Sequence, residues 1–257
     1  MGGNLRNRDM CKMNDVIRLL NQHRSDRSFS DRPVDESLIA EIVEAGHRAP
    51  SSHNGQNISV VVVRDAKARA RIAELANGQP WIAKAPVFLC VVADYHKTEA
   101  ALAPYGKTQV APTTLEGNIV VATDAGIVLA TMMTAARSLG LGVVPIGGMR
   151  VGEAGMIELL HLPHLTYAVV GMCLGYVEKP AAMKPRLAIS TFRHDEVYAD
   201  KELSKAIADY DRTLTDHWKA VGRSDGEAWS VTMSSYLDHA TRPKLRAILE
   251  GQGFRPD

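Results

Sequence analysis

The stretch Ile58-Ser59-Val60-Val61-Val62-Val63 decides the fold class of this chain. Its β-branched side chains follow one another without polar alternation, which predicts a strand buried on both faces of a sheet. Three more apolar runs predict strands over residues 87–93, 143–146 and 167–174. Periodic apolar residues between these runs predict long helices. Buried strands combined with long helices indicate an α+β or α/β fold.

The longest apolar stretch, residues 119–136, predicts a core helix and not a membrane span. Asp124, Arg137 and several small or hydroxylated side chains argue against exposure to lipid. We therefore predict a helix over residues 116–139 that is buried on most sides. Residues 95–114 show no clear period, which favours a loop or a lid. The other predicted helices cover residues 16–20, 35–46, 66–76, 153–160, 201–221 and 228–250.

Length and composition are those of an ordinary soluble globular protein. The 257 residues include 46% hydrophobic and 23% charged side chains, and the formal net charge is +1. A nucleic-acid-binding protein normally shows a basic excess, so we expect no nucleic-acid partner, and we expect no membrane partner. The three cysteines lie outside any C-x-x-C pair and predict free thiols in a reducing, cytoplasmic compartment. No spacing of histidines and cysteines predicts a metal site.

The chain divides into three predicted segments. Residues 1–12 are largely polar, lack a signal peptide and predict a disordered leader. Residues 13–177 contain every predicted strand and form the predicted core. From residue 178 onward, prolines and charged residues precede two amphipathic helices, so residues 178–257 predict a C-terminal helical extension.

Two cationic clusters suggest a bound oxyanion. The run His23-Arg24-Ser25-Asp26-Arg27 follows a predicted helix, and Lys184-Pro185-Arg186 lies far downstream. Arginine offers a planar fork of donors to phosphate and keeps its charge at any working pH. Two such clusters favour a phosphorylated cofactor that is held from two sides. The alternative is solvated surface charge, the usual situation of arginine and lysine.

Two polar or flexible loops follow predicted elements. Residues 50–56 combine hydroxyls and amides that could read the polar edge of a planar ring, although a plain Ser/Asn turn has the same composition. Gly147-Gly148 after a strand permits close backbone approach to a ligand, or forms only a tight turn. Gly140 and Gly142 do not complete a G-x-G-x-x-G motif, so a Rossmann dinucleotide site is unsupported.

In their order and spacing, these pieces resemble the FMN-dependent nitroreductase family. The resemblance extends from about residue 15 to residue 254. Lys184-Pro185-Arg186-Leu187 before a long helical tail is similar to the subgroup of oxygen-insensitive NADPH nitroreductases and NADPH–flavin oxidoreductases. The motifs are, in order, His23-Arg24-Ser25-x-Arg27, Ala49-Pro50-Ser51-Ser52-x-Asn54-x-Gln56, Gly78-Gln79, Leu139-Gly140-Leu141-Gly142, Ile146-Gly147-Gly148 and Leu174-Gly175-Tyr176.

The resemblance implies an α+β nitroreductase fold with a central, mostly antiparallel sheet flanked by helices. It also implies a homodimer with swapped tails, in which both subunits line each of two FMN sites. The implied residues near the FMN phosphate and ribityl chain are His23, Arg24, Ser25, Lys184 and Arg186. The implied residues near the flavin ring are Arg27, Gln79, Ile146, Gly147 and Gly148, with Ser51, Ser52, Asn54 and Gln56 reaching it from the partner subunit.

The implied activity is ping-pong transfer of two electrons from NADPH or NADH, through FMN, to flat acceptors such as nitroaromatics, quinones or flavins. Arg27 would stabilise negative charge on the reduced ring, and no side chain would act as nucleophile or general base. Arg223 is the expected contact to the nicotinamide phosphate, but Asp225 and Glu227 beside it predict weakened selectivity for NADPH. Two alternatives remain open: a non-catalytic FMN- or nucleotide-binding protein, and a dehalogenase-like relative of the same fold.

Overall fold

Four antiparallel strands form the central sheet of the protein, in the order β1-β2-β4-β3. The structure is a computed structural model, and it describes residues 14–239 and 242–255. The predicted leader, residues 1–12, lies outside the described residues. All four strands begin and end within a residue or two of the predicted positions. Their bounds are β1 Ile58–Val63, β2 Val87–Asp94, β3 Gly142–Ile146 and β4 Thr166–Gly175.

The strands differ in burial because of their place in the sheet. β2 lies between β1 and β4, and all of its residues are buried. β1 is an edge strand, and of its residues only Val63 is buried while the rest are half-buried. The prediction that β1 is buried on both faces is therefore wrong. An unbroken apolar run predicts the strand, but its position in the sheet depends on pairings with distant residues.

Helices pack on both faces of the sheet, and further helices lie in the C-terminal part of the chain. The helices are α1 Asp15–Asn21, α2 Glu36–His47, α3 Ala66–Leu75, α4 Pro80–Lys84, α5 His96–Leu102, α6 Leu115–Ser138, α7 Glu153–Leu159, α8 Leu203–Ala220, α9 Trp229–Leu237 and α10 Leu245–Gly251. Asp35 is the N-cap of α2, although its side chain makes no capping hydrogen bond.

One loop prediction and one helix prediction are wrong. Residues 95–114 contain α5, which the sequence hides because its residues are mostly polar and lack an apolar period. Gln109 holds this segment together, since its Nε2 donates to the Tyr95 carbonyl at 2.7 Å. The predicted helix over residues 228–250 is two helices, α9 and α10. Pro243 lies between them, and proline disfavours a helical conformation in the residue before it.

The described chain forms two compact units. The first comprises residues 14–181 and 245–255, and the second comprises residues 182–239 and 242–244. The end of the chain belongs to the first unit because Phe254 is fully buried there. Its ring meets that of Tyr167 edge-to-face, with centroids 4.7 Å apart. The predicted extension, by contrast, runs unbroken from residue 178 to residue 257.

Only one side of α6 is buried. Val121, Ala125, Val128, Met132 and Ala136 pack against the sheet and α2. The helix is long and apolar enough to cross a membrane by length and composition, yet only a third of its most apolar window is buried. The prediction of a helix buried on most sides is thus wrong for the single chain. Its exposed side is largely apolar from Ile119 to Ala130, through Ala122, Thr123 and Gly126, while Glu116 and Ser138 are exposed polar residues near its two ends.

Candidate functional site

The basic segment of residues 23–27 is anchored by the one acid within it. The side chain of Asp26 is buried, and its Oδ1 accepts a hydrogen bond from the Ala181 amide at 3.0 Å. The Asp26 amide donates to the Val143 carbonyl of β3 at 3.1 Å. These bonds fix the segment beside the sheet, with His23, Arg24 and Ser25 half-buried on one side of the anchor. The motif predicts the cations but not this anchoring role.

Arg24 and Arg137 line one cavity of about 320 Å³, together with Asp26. Arg24 Nε lies 3.3 Å from Asp26 Oδ1, and it is buried without a hydrogen-bond acceptor among the described residues. Arg137 donates to the carbonyls of Leu19 and Gln22 at the end of α1, at 2.7 and 2.9 Å. Burial lowers the pKa of Arg137, and the nearby positive charge of Arg24 lowers it further. The sequence prediction missed Arg137, which the last turn of an apolar helix places beside the motif.

Arg27, Gln79 and Gly148 meet around the start of α4. The Arg27 guanidinium lies over the ring of Trp81, 5.2 Å from its centroid. Gln79, the N-cap of α4, donates from Nε2 to the Ala76 carbonyl at 2.9 Å. A Cβ on Gly148 would lie 2.2 Å from that Nε2, so only glycine allows this approach. Three predicted residues from distant parts of the sequence therefore lie close together.

Trp81 is a site residue that the sequence prediction missed. Its Nε1 is buried and has no hydrogen-bond partner within the described residues. Such an unused donor beside a cation suits an acceptor-rich ligand. One sequence feature could have pointed to Trp81: it directly follows Gln79-Pro80, and proline at the first position of a helix marks a helix start beside the predicted site residue Gln79.

The loop of residues 51–56 is held in an uncommon conformation. His53, Asn54 and Gln56 have backbone φ angles of 52°, 54° and 53°. These lie in the left-handed region, which residues other than glycine rarely adopt. The Ser52 amide donates to both carboxylate oxygens of buried Asp124 on α6, at 3.3 Å each. The Gln56 amide donates to Ser51 Oγ at 3.2 Å. Strain of this kind persists where the surroundings hold the loop in place.

The turn after β3 contains Ile146, Gly147 and Gly148. Ile146 ends β3 and is buried, and the chain then enters a short 3-10 helix over Gly148–Gly152. Buried Glu153 follows, and its Oε1 accepts from the Ala168 amide at 2.7 Å. Burial raises the pKa of Glu153 to about 7, although the Ala168 hydrogen bond and the charge of Arg150 act in the opposite direction.

The second unit contains the remaining predicted cations. Lys184 Nζ and the Arg223 guanidinium both lie over the ring of Trp218, 5.2 and 4.3 Å from its centroid. They line one cavity of about 400 Å³. Arg223 also donates to both carboxylate oxygens of Asp225, at 3.2 and 3.1 Å, while Arg186 Nη1 donates to the Lys184 carbonyl at 3.1 Å. The sequence prediction separated Lys184 from Arg223, and it missed Trp218, the residue that joins them.

Cysteine and metal chemistry have no evident part in the described site. Cys90 and Cys173 are buried free thiols, and burial raises the pKa of each well above its ordinary value, which keeps them protonated and unreactive. Among residues 14–239 and 242–255, no group of three or more histidine, cysteine or acidic side chains could hold a metal ion.

Family models match most of the chain. The model described as "Nitroreductase family" matches residues 20–176, and the model described as "Nitroreductase family, C-terminal domain" matches residues 184–257. An FMN reductase [NAD(P)H] of Bacillus subtilis is 41% identical over 95% of this chain and 99% of its own length. An NADPH-flavin oxidoreductase of Vibrio harveyi is 32% identical over 94% of this chain and 99% of its own length.

Solved structures share the architecture. A hypothetical oxidoreductase from Bacillus subtilis superposes with a TM-score of 0.92 at 40% identity, and the match covers 95% of this chain and all of that one. An NADPH:FMN oxidoreductase from Vibrio harveyi, solved with NAD+, has a TM-score of 0.85 at 30% identity. That match covers 94% of this chain and 99% of the other.

Proposed function

This chain belongs to the nitroreductase family, and on that premise we propose how its residues serve an FMN-dependent NAD(P)H oxidoreductase. The protein is an enzyme with FMN as cofactor and NAD(P)H as electron donor. Bound FMN supplies the two-electron chemistry between the nicotinamide and the acceptor. We assign nitroaromatics, quinones or flavins as acceptors, because an open site that stacks flat molecules selects poorly among them. We also assign the protein to the cytoplasm.

The gathering of Arg27, Trp81, Gln79 and Gly148 is the observation that carries this proposal. Arg27 brings a fixed positive charge that offsets negative charge on a reduced flavin ring. Trp81 Nε1 and Arg24 Nε are buried donors without acceptors among the described residues, which fits a ligand rich in oxygen and ring nitrogen. Backbone amides of the Gly147-Gly148 turn can approach a flat ring closely because no side chain intervenes. The residues present therefore fit FMN.

We expect the purified protein to be yellow and to contain about one non-covalent FMN per chain. Anaerobic addition of NADPH or NADH should bleach the flavin absorbance, and a quinone or nitroaromatic should restore it. Absorbance spectra and the FMN released on denaturation measure both properties. A protein that stays colourless after incubation with FMN would contradict the proposal. A yellow protein that no nicotinamide bleaches would instead indicate the non-catalytic flavin-binding alternative.

The functional unit in this proposal is a homodimer. The exposed side of α6 is largely apolar between Ile119 and Ala130, and α1 adds the exposed side chains of Val16, Ile17 and Leu20. A monomer rarely exposes a continuous apolar surface of this kind. The loop of residues 51–56 is attached to α6 through hydrogen bonds from the Ser52 amide to buried Asp124. In this proposal, the loop reaches the FMN site of a partner subunit that packs on α6.

The tail helices contribute less to the dimer argument than the sequence suggests. Leu214 is buried within the second unit, and Tyr210 Oη donates to the Pro185 carbonyl at 3.0 Å. Part of the apolar face of α8 is thus covered by its own unit. Exposed apolar side chains of this unit, including Ile189 and Phe192, remain available to a partner subunit.

The Arg223–Asp225 pair predicts weak discrimination between NADPH and NADH. A 2′-phosphate at Arg223 must compete with a carboxylate that already holds both Nε and Nη2. Both groups are exposed to solvent, so each contact is weak and salt screens it. We expect Asp225→Asn to raise the preference for NADPH by about two- to fivefold, and Arg223→Ala to abolish the preference.

Steady-state kcat/KM for both donors measures this preference. Arg212→Ala is a matched control, because Arg212 is another exposed, ion-paired arginine of the same unit. A strong NADPH preference that survives Arg223→Ala would show that other residues bind the phosphate.

A further inference from the structure

β4 loses its neighbour β3 partway along its length. β3 pairs with β4 only from Gly142 opposite Gly175 to Ile146 opposite Gly171. The chain then leaves the sheet at Gly147, while β4 extends back to Thr166. Among the described residues, no strand lies beside this edge of residues 166–170.

A bulge lies in the same part of β4. Val91 of β2 is opposite Val170 and Val92 is opposite Ala168, so Val169 is an extra residue. A bulge turns backbone groups away from the regular ladder. Buried backbone amides and carbonyls need hydrogen-bond partners. At this bulge, no described strand supplies partners to the Ala168 amide and the Val169 carbonyl.

Two side chains from the segment after β3 supply those partners. The Ala168 amide donates to Glu153 Oε1 at 2.7 Å, and the Val169 carbonyl accepts from Arg150 Nη1. Glu153 is fully buried, and Arg150, Cys90 and Tyr167 are the titratable groups that interact with it. A buried acid is costly unless it is hydrogen-bonded. Here Oε1 holds the Ala168 amide, while Oε2 is buried without a hydrogen-bond partner among the described residues, so the side chain is kept inside at a cost.

The same segment contains the Gly147-Gly148 turn. A Cβ on Gly147 would lie 3.3 Å from Arg150 Nη2, so the guanidinium lies directly against the turn. On the other side, Gly148 lies against Gln79 Nε2 and the Ala76 carbonyl. The turn is thus held between the bulge of β4 and the end of α3. Arg150 contacts the turn directly, and Glu153 begins α7 immediately after the 3-10 helix of Gly148–Gly152.

We propose that Arg150 and Glu153 are positioning residues for the cofactor, because they fasten the Gly147-Gly148 turn to the bulge of β4. This rests on the proposed function, in which the turn faces the flavin. Neither residue touches FMN in this proposal. Each acts through the backbone of the Gly147-Gly148 turn. The amides of that turn must hold their positions to within a fraction of an ångström if they are to contact a rigid flavin ring.

Three substitutions test the proposal. Glu153→Leu removes the acceptor for the Ala168 amide, while Glu153→Gln retains an acceptor oxygen without the charge. Met156→Ala is the matched control, since Met156 is a fully buried residue of α7 whose truncation loosens the same helix. The readouts are the dissociation constant of FMN, the visible circular dichroism of bound FMN, and amide hydrogen exchange over residues 147–149 in protein freed of FMN.

We expect Glu153→Leu to weaken FMN binding by about tenfold or more, change the visible circular dichroism and speed exchange over residues 147–149. Glu153→Gln should stay within about threefold of the original protein in affinity. Met156→Ala should leave the dichroism and the turn exchange unchanged. If Glu153→Leu does not fold, Arg150→Met, which loses the bond to the Val169 carbonyl, gives the same comparison.

Unchanged FMN affinity and turn exchange in Glu153→Leu, or equal changes in Met156→Ala, would overturn the proposal. Failure of the unsubstituted protein to bind FMN would instead refute the proposed function. In that case the exchange measurement still tests whether Glu153 holds the turn, so the two failures are distinguishable.

Discussion

Arg24→Ala should raise the dissociation constant of FMN by about ten- to a hundredfold. Arg24 lies in the cationic segment between α1 and α2, and its buried Nε makes no hydrogen bond among the described residues although it lies 3.3 Å from Asp26 Oδ1. A charge-assisted hydrogen bond to a phosphate contributes about 1.5–3 kcal/mol, which corresponds to that range. Arg186→Ala in the second unit should act in the same direction.

Titration of protein freed of FMN, followed by flavin fluorescence, measures this effect. Arg71→Ala is the matched control, because Arg71 is an exposed arginine on α3 that pairs with Glu74 one turn along the same helix. Thermal unfolding without FMN shows whether loss of the contact to Asp26 destabilises the fold. Equal FMN affinity in Arg24→Ala and the control would remove Arg24 from the phosphate site.

Arg27→Ala should separate binding from chemistry. Arg27 is exposed and lies over Trp81, beside Gln79 and Gly148, so its substitution should leave FMN affinity within about threefold. The rate of flavin reduction in stopped-flow bleaching should fall, because the charge that offsets negative charge on the ring is gone. A large loss of affinity with an unchanged rate would reverse the roles of Arg24 and Arg27.

Gly126→Glu should convert the proposed homodimer to monomers, and the substituted protein should lose FMN. Gly126 lies on the exposed side of α6, and a Cβ there would meet no atom within 4 Å, so the single chain accommodates the new side chain. Replacing glycine within a helix even favours the helix by about 0.5–1 kcal/mol. Two-fold symmetry would place the added charge on both copies of an apolar interface.

Light scattering at several concentrations, together with FMN content, tests this outcome. Gly251→Glu makes the same substitution at another helical glycine with open space around it, at the end of α10. That control should remain a yellow dimer. A Gly126→Glu protein that stays dimeric would move the interface away from α6, and one that is monomeric with FMN still bound would show that each site is complete within one subunit.

The elements predicted correctly are those whose signals are local. An unbroken β-branched run predicted β1, and the apolar period of residues 116–139 predicted α6. Errors arose where an element depends on remote contacts or carries no period. α5 is polar and is held by Gln109, and the edge position of β1 follows from strand pairing. The break at Pro243 was visible in the sequence, but the apolar pattern on either side outweighed it in the prediction.

By itself, the sequence determined the α+β class, the strands, the resemblance to a family and the cationic motifs. Each of these depends on the order and spacing of residues along the chain. The tertiary structure alone decided that Arg27, Gln79 and Gly148 meet at Trp81, that Asp26 anchors the basic segment, and that Lys184 and Arg223 share the ring of Trp218. It also decided that Arg150 and Glu153 take the place of a strand beside β4. Such contacts join residues far apart in the chain, and a local pattern carries no information about which distant backbone group will need a partner.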